Sequence, residues 1–210
     1  MAWDLLAENF NDLTDWTDND SGDGVSEISP AGYLHQTRTS SGLAIIDQDI
    51  GAISGDYTVE LKVKPDAVDY NNNFFAEGSD GTLYFKMVSD GLYIFNGTSW
   101  VQVITETWNT SNYYTIRLIV HNSQTDCDVY LDGELKTSDA DCTYGGAQVG
   151  VTIKCGTDNS EWHWDYLYIG AGQQVPSTTS IKKVSGVAYA SIKKIGGVAI
   201  GSVKKIAGVE

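Results

Sequence analysis

Three short stretches of this sequence carry side chains whose types and spacing suit chemistry. The first, "DNDSGDG" (residues 18–24), gathers Asp18, Asp20 and Asp23 in one glycine-bearing loop. Hard carboxylate oxygens so close together suit calcium, which would be the one cofactor implied here. A loop of the EF-hand kind also needs a bidentate Glu at its end, and Glu27 falls too early, so a plain solvated turn competes with the ion. The second and third, "DYNNNFF" (69–75) and "NGTSW" (96–100), mix rings with amides. Sugars stack their C–H faces on rings while amides and carboxylates take the hydroxyls. Tyr70, Asn72, Asn73, Trp100 and Trp108 are therefore the candidate glycan contacts. Against this, Asn runs also make turns, and Trp100 fits the start of a core strand equally well. His35, His121 and His163 are expected to form no metal-binding pair, and no Ser or Cys nucleophile motif stands beside them. Cys127, Cys142 and Cys155 share no CxxC spacing and read as isolated core thiols. A Cys127–Cys142 bridge between adjacent strands is the alternative in an oxidising compartment.

Charge sorts the chain into two parts. Residues 180–210 hold six Lys and one Glu, a net of +5, while residues 1–179 hold seven basic and 27 acidic residues, a net of −20. The body should repel nucleic acid and anionic membranes, because approach to phosphates costs Coulomb energy. No segment reaches the run of about 20 apolar residues that a membrane span needs. The start, Met1-Ala2-Trp3-Asp4, has neither a basic cluster nor a following apolar run, so no export by an N-terminal signal is expected.

The elements that must position these residues are strands. From Tyr57 the sequence alternates with period two, which sends one face of each segment into a core. Tyr57, Val59, Leu61 and Val63 form one such set, ended by Pro65. Leu83, Phe85 and Met87 form the next, turning at Ser89-Asp90-Gly91 into Leu92–Phe95. Asn96-Gly97 is read as a tight-turn dipeptide because both residues tolerate positive φ, and Trp100–Ile104 returns. Tyr114, Ile116, Leu118 and Val120 follow, then Cys127–Leu131, a reversal at Asp132-Gly133, and Glu134–Lys136. Val149, Val151, Ile153 and Cys155 share a face, and Trp162–Ile169 is the last strand. No helical periodicity with caps interrupts residues 3–172. Short strands between regular turn signals predict an all-β, antiparallel two-sheet sandwich.

Four stretches carry a resemblance. "DVYLDGEL" (128–135) and "WNTSNYYTIRLIV" (108–120) resemble strands of concanavalin A-like and laminin G-like jelly rolls. "ENFNDLTDW" (8–16) and "WHWDYLYIG" (162–170) resemble the first and last strands of that group, which the resemblance places side by side. It covers residues 1–172 as one jelly-roll domain. Laminarinase-like relatives carry catalytic carboxylates spaced Glu-x-Asp-x-x-Glu, which retaining hydrolysis needs on one sheet face. None of Glu8, Glu27, Glu60, Glu77, Glu106, Glu134 and Glu161 stands in that pattern, so no enzyme is expected. Trp162 and Trp164 read as core residues of the closing strand. Calcium at a loop rim is a further implication of the laminin G likeness.

"QQVPSTT" (173–179) reads as a linker, and residues 180–210 repeat one phrase three times: IKKVSGVAYAS, IKKIGGVAIGS, VKKIAGVE. An 11-residue period would suit a helix, yet each Gly costs about 1 kcal/mol there relative to Ala. A short strand, a two-residue turn (Ser185-Gly186, Gly196-Gly197, Ala207-Gly208) and a return strand fit better. Isolated hairpins are marginal in water, so the units must stack. The expected anchor residues are Ile181, Lys182, Lys183 and Val184, then Ile192, Lys193, Lys194 and Ile195, then Val203, Lys204, Lys205 and Ile206. They would be buried in a homo-oligomer, an intertwined trimer, or against an acidic partner. The Ile-Lys-Lys-Ile-x-Gly-Val-Ala type resembles repeats ending bacteriophage virion proteins. That resemblance implies a non-enzymatic virion protein assembled in the host cytoplasm. It would be a capsid decoration, head fibre or tail adhesin, with capsid or tail proteins as partners. A carbohydrate-binding lectin module of a cell-surface or secreted protein is the competing function, with cell-surface glycan as its partner.

Overall fold

The computed structural model describes residues 3–67, 83–121, 124–142, 150–156 and 160–174, together with four two-residue strands beyond them. The strands are β1 (Leu6–Glu8), β2 (Thr17–Asp18), β3 (Ser21–Gly22), β4 (Val25–Ile28), β5 (Leu34–Arg38), β6 (Gly42–Asp49), β7 (Tyr57–Ala67) and β8 (Tyr84–Val88). They continue as β9 (Gly91–Phe95), β10 (Trp100–Thr105), β11 (Tyr114–His121), β12 (Asp126–Leu131), β13 (Glu134–Asp141), β14 (Gly150–Cys155) and β15 (Ser160–Ala171). All pairings are antiparallel, and no helix occurs among the described residues.

The large sheet has the order β13-β12-β11-β7-β15-β5-β4, with β1 also against β15. A three-stranded sheet (β10-β9-β8) and a four-stranded one (β14-β6-β2, with β3 on β6) supply the opposing strands. Alternation decides what meets between them. Val59, Leu61 and Val63 of β7, Ile116, Leu118 and Val120 of β11, and Leu167 and Ile169 of β15 join one buried cluster. Ile46, Phe85, Met87, Leu92, Ile94, Val151 and Ile153 of the other sheets belong to it too. Each such side chain contributes about 1.5–3 kcal/mol on leaving water. Gln36, fully buried on β5, ties the layers with its side-chain amide, which reaches Ala44 O on β6 at 3.4 Å and Ile153 O on β14 at 3.3 Å. The architecture is an antiparallel jelly-roll sandwich, and the first and last strands lie side by side, Leu6 opposite Ile169.

Several local expectations are corrected. Pro65 does not end its strand: β7 runs on to Ala67. Its missing N–H is tolerated because β11 has already stopped at Val63 and the partner β15 is irregular beside Trp162. Residues 17–49, in which no strands were predicted, hold β2 to β6. The first strand is Leu6–Glu8 rather than 8–16; Phe10 breaks it with φ 49° and buries its ring against Trp16. The Asn96 connection is a four-residue loop. Asn96 Oδ1 accepts from Thr98 N and Ser99 N, and Gly97 alone takes positive φ there. Asp132 and Gly133 do take positive φ together, 50° and 82°, as the hairpin twist demands. β13 extends well past Lys136.

In β15 the inward residues are Trp162 and Trp164, then Leu167 and Ile169, so the phase slips by one. The register shift between Trp164 and Tyr166 absorbs this slip and leaves Asp165 half-buried, where it accepts from Lys62 Nζ at 2.5 Å.

The chain divides into Met1–Gln174 and Val175–Glu210. Gln173 and Gln174, read as linker, belong to the body: Gln174 N donates to Thr58 Oγ1 and Gln173 Nε2 to Asp56. In the second unit, β16 (Lys183–Val184) pairs with β17 (Val187–Ala188), and β18 (Lys194–Ile195) with β19 (Val198–Ala199). The first two repeats are thus hairpins with two-residue connections, as the glycine positions demand. The third lies outside the described residues.

Candidate functional site

The three aspartates of the 18–24 loop are spent on their own chain. Asp18 Oδ1 accepts from Asp20 N at 2.8 Å. Asp20 accepts from Ser26 N, Ser26 Oγ and, across the sheet, Ile45 N. Asp23 accepts from Thr39 Oγ1, Ser40 N, Ser40 Oγ and Ser41 N. The hydroxyls of Thr39, then Ser40, hold its carboxyl well below the usual range. All three carboxylates thus accept hydrogen bonds from their own chain, Asp18 within the loop, Asp23 from residues 39–41 and Asp20 also across to β6.

The glycan candidates separate. Tyr70, Asn72 and Asn73 lie outside the described residues. Trp108 is a core residue, 6% exposed, with Nε1 donating to Val88 O at 2.8 Å and its ring edge-on to Tyr114 at 4.9 Å. Both its polar atom and its faces are occupied within the fold. Trp100 instead sits half-buried on the outward side of the three-stranded sheet. Register aligns Tyr84, Phe95 and Trp100 across β8, β9 and β10, with Lys86, Tyr93 and Gln102 in the next row. Phe95 and Trp100 rings are 5.4 Å apart, and Lys86 Nζ lies 4.5 Å from the Trp100 ring centroid. Burial pushes the Lys86 amine down against an opposing pull from Asp90, and burial, then a hydrogen bond to Asp90, push the Tyr93 hydroxyl up. The result is an aromatic row in which the Lys86 ammonium lies over the Trp100 ring and the Gln102 amide donates to Asp90 O at 2.8 Å.

The outward side of the large sheet holds a second set that sequence reading missed. Glu60 and Arg117 form an ion pair with both side chains 10% exposed. Arg117 Nη1 also donates to Gln174 O, and its guanidinium lies 5.8 Å from the Trp3 ring. Tyr166 donates its hydroxyl to Glu60 and stacks on Tyr168 at 4.4 Å. Desolvation, then the Glu60 charge, push the Tyr166 hydroxyl up.

Farther along this face, His35 and His163 stack at 4.4 Å beside Glu161, a juxtaposition that sequence reading missed. Cross-strand register brings them together, and spacing along the chain carries no trace of it. His121 lies 3.5 Å from Asp128 Oδ1.

Cys127, Cys142 and Cys155 are buried free thiols, so the Cys127–Cys142 bridge is not formed. The two are nonetheless not isolated: a hydrogen bond with Cys142, then burial, push the Cys127 thiol well up. Of the anchor residues, Lys183, Val184, Lys194 and Ile195 lie in hairpin strands. Ile181, Lys182, Ile192, Lys193, Val203, Lys204, Lys205 and Ile206 lie outside the described residues.

No family model matches the sequence, and no curated protein sequence matches it. Solved structures do. Domain 4 of AbnA, a GH43 extracellular arabinanase from Geobacillus stearothermophilus solved with arabinotriose, is 20% identical with a TM-score of 0.60, covering 82% of this chain and 94% of that one. The cellulose-induced protein Cip1 is 13% identical with a TM-score of 0.63, covering 80% and 98%. A sialidase is 12% identical with a TM-score of 0.66, over 82% of this chain but only 19% of the sialidase. At these identities the likeness is one of fold, and the fold they share with this chain is the antiparallel β-sandwich.

Proposed function

We propose that residues 1–174 are a non-catalytic glycan-binding module of lectin type. The observation that carries this reading is the cross-strand row of Tyr84, Phe95 and Trp100, bordered by Tyr93, Lys86 and Gln102. Half-buried rings in one cross-strand row offer C–H stacking surface at little entropic cost, and the Gln102 carbonyl oxygen and Lys86 ammonium beside them can bond hydroxyls. The arabinotriose complex of AbnA domain 4, similar in fold, supports a sugar as the ligand class. Trp100→Ala should weaken binding on a plant- and cell-surface glycan array by at least about tenfold, roughly 1.4 kcal/mol. Tyr93→Ala should weaken it less, and Trp100→Phe should retain part of it. Undiminished binding by folded Trp100→Ala protein would exclude this face as the site.

A second reading concerns the tail. The hairpins in the first two repeats favour an assembly element, since units so small need to stack. On that reading the repeats join copies of the chain, or anchor it to a virion whose exterior displays the module. Native mass measurement with and without residues 180–210 reads the first, and particle incorporation of the same pair reads the second. A monomer in both forms that enters particles regardless of the tail removes this role.

A further inference from the structure

On the outward side of the large sheet, the antiparallel register of β5 with β15 sets His35 directly opposite His163. We propose that these two imidazoles and Glu161 form a binding site for a divalent transition-metal ion, zinc in the first instance. Glu161 Oε1 lies 2.8 Å from His35 Nε2 and 3.9 Å from His163 Nε2. A tetrahedral zinc with bonds of about 2.0–2.1 Å separates its ligand atoms by roughly 3.3 Å, between those two distances. The near-parallel rings, 10° apart, must tilt toward each other for both Nε2 lone pairs to converge. Convergence requires rotation about χ2 of both rings, whose side chains are 16% and 13% exposed.

The surroundings favour the ion. Glu27 stands opposite His35 in the β4–β5 register, its Oε1 3.4 Å from His35 Nδ1. A carboxylate there accepts the Nδ1–H and fixes the tautomer that turns Nε2 to the metal. Two carboxylates outweigh the single ammonium of Lys64, which stands opposite His163 on β7. Two imidazoles with one carboxylate suit zinc, nickel or copper and disfavour calcium or magnesium. Three protein ligands leave a fourth position, facing solvent, for water or an external donor. The second cluster is a built-in contrast. There a single imidazole lies 3.5 Å and 3.8 Å from Asp128 and Asp139, and Asp128 Oδ1 already accepts Asp139 N at 3.1 Å. The site stands on its own geometry and is independent of the glycan reading.

The test uses the untagged full chain, stripped with chelator and titrated calorimetrically with zinc, then spectroscopically with cobalt. One equivalent should bind, with the visible bands of four-coordinate cobalt and weaker affinity at lower pH as protons compete for the ring nitrogens. His163→Gln should weaken binding by more than about 100-fold, since it removes a ligand outright where loss of a supporting group already costs 10–100-fold. Glu161→Gln, at a half-exposed position that leaves the fold intact, should also weaken it, and His121→Gln should leave it unchanged. No saturable zinc binding, equal affinity in Glu161→Gln, or a cobalt–thiolate charge-transfer band would each overturn the assignment.

Discussion

Glu60→Gln removes the negative charge that Arg117 meets in the large sheet. In the native protein Glu60 Oε2 accepts Arg117 Nε at 2.5 Å and Oε1 accepts the Tyr166 hydroxyl at 3.1 Å. Both partners of the ion pair are 10% exposed, so water cannot replace the lost contact. Removing one partner of a buried pair costs about 3–5 kcal/mol, mostly by stranding the other charge. Arg117 keeps two supports, the Gln174 carbonyl at 2.8 Å and the Trp3 ring at 5.8 Å. The expected cost is therefore the lower bound, about 3 kcal/mol. For a body of this size, 1 kcal/mol moves Tm by about 2–4 °C, which gives a fall of roughly 6–12 °C. Arg117→Met should cost a similar amount, leaving Glu60 with Tyr166 alone. Glu60→Leu/Arg117→Met should recover to within about 1 kcal/mol of the native protein, because no charge then remains buried. Thermal and urea unfolding of the native protein, Glu60→Leu, Arg117→Met and their double mutant supply the cycle, with Glu60→Gln measured beside them. Strict additivity, or a Glu60→Gln loss below about 0.5 kcal/mol, would refute the reasoning.

Two glycine substitutions test positive-φ positions, one where β3 meets β6 and one in the β12–β13 turn. Gly42 has φ 90°, and an added Cβ would sit 1.8 Å from Ser21 O across the β3–β6 pair, so Gly42→Ala should cost at least about 3 kcal/mol by thermal unfolding. Gly133→Ala, with φ 82° and open space, should cost only about 1 kcal/mol of backbone strain. Asp23→Asn tests the acid side of the stability profile. The folded protein depresses the Asp23 carboxyl, so this group stabilises above the ordinary value of about pH 4 and loses that contribution as pH falls below it. The stability gap between native protein and Asp23→Asn should be flat from about pH 5 to 7 and should shrink below about pH 4. A gap that widens in acid would contradict the hydrogen-bond assignment.

Period-two alternation exposed β7, β11 and β12 because each keeps a continuous apolar face, and Asp132-Gly133 announced its turn because both residues must take positive φ. The strands of residues 17–49 escaped for the opposite reason. Thr17–Asp18 and Ser21–Gly22 are too short and polar to carry a period, and β5 sends Gln36 into the core where an apolar residue is expected. The slip at Asp165 conceals itself, since Trp162 and Ile169 belong to different phases of one strand. At the sites, residue type was legible and direction was not. The same ring type faces the core at Trp108 and solvent at Trp100, and the same carboxylates that suit calcium suit backbone N–H groups equally. The His35–His163 pair arises only when strands distant in sequence adopt one register.

β15 is gripped on both flanks, by β7 along its length and by β5 and β1 on the other side. Its last residue is also the last strand residue before the second unit begins. Tension applied at residue 172 along the strand axis therefore loads every rung of the β7 ladder at once, in shear. The bonds from Gly172 N to Asp56 O and from Gln174 N to Thr58 Oγ1 lengthen that ladder beyond the strand itself. A three-residue edge such as β1 would instead peel one rung at a time. The chain leaves the body through a strand paired on both flanks, so a pull from the second unit meets shear rather than peeling.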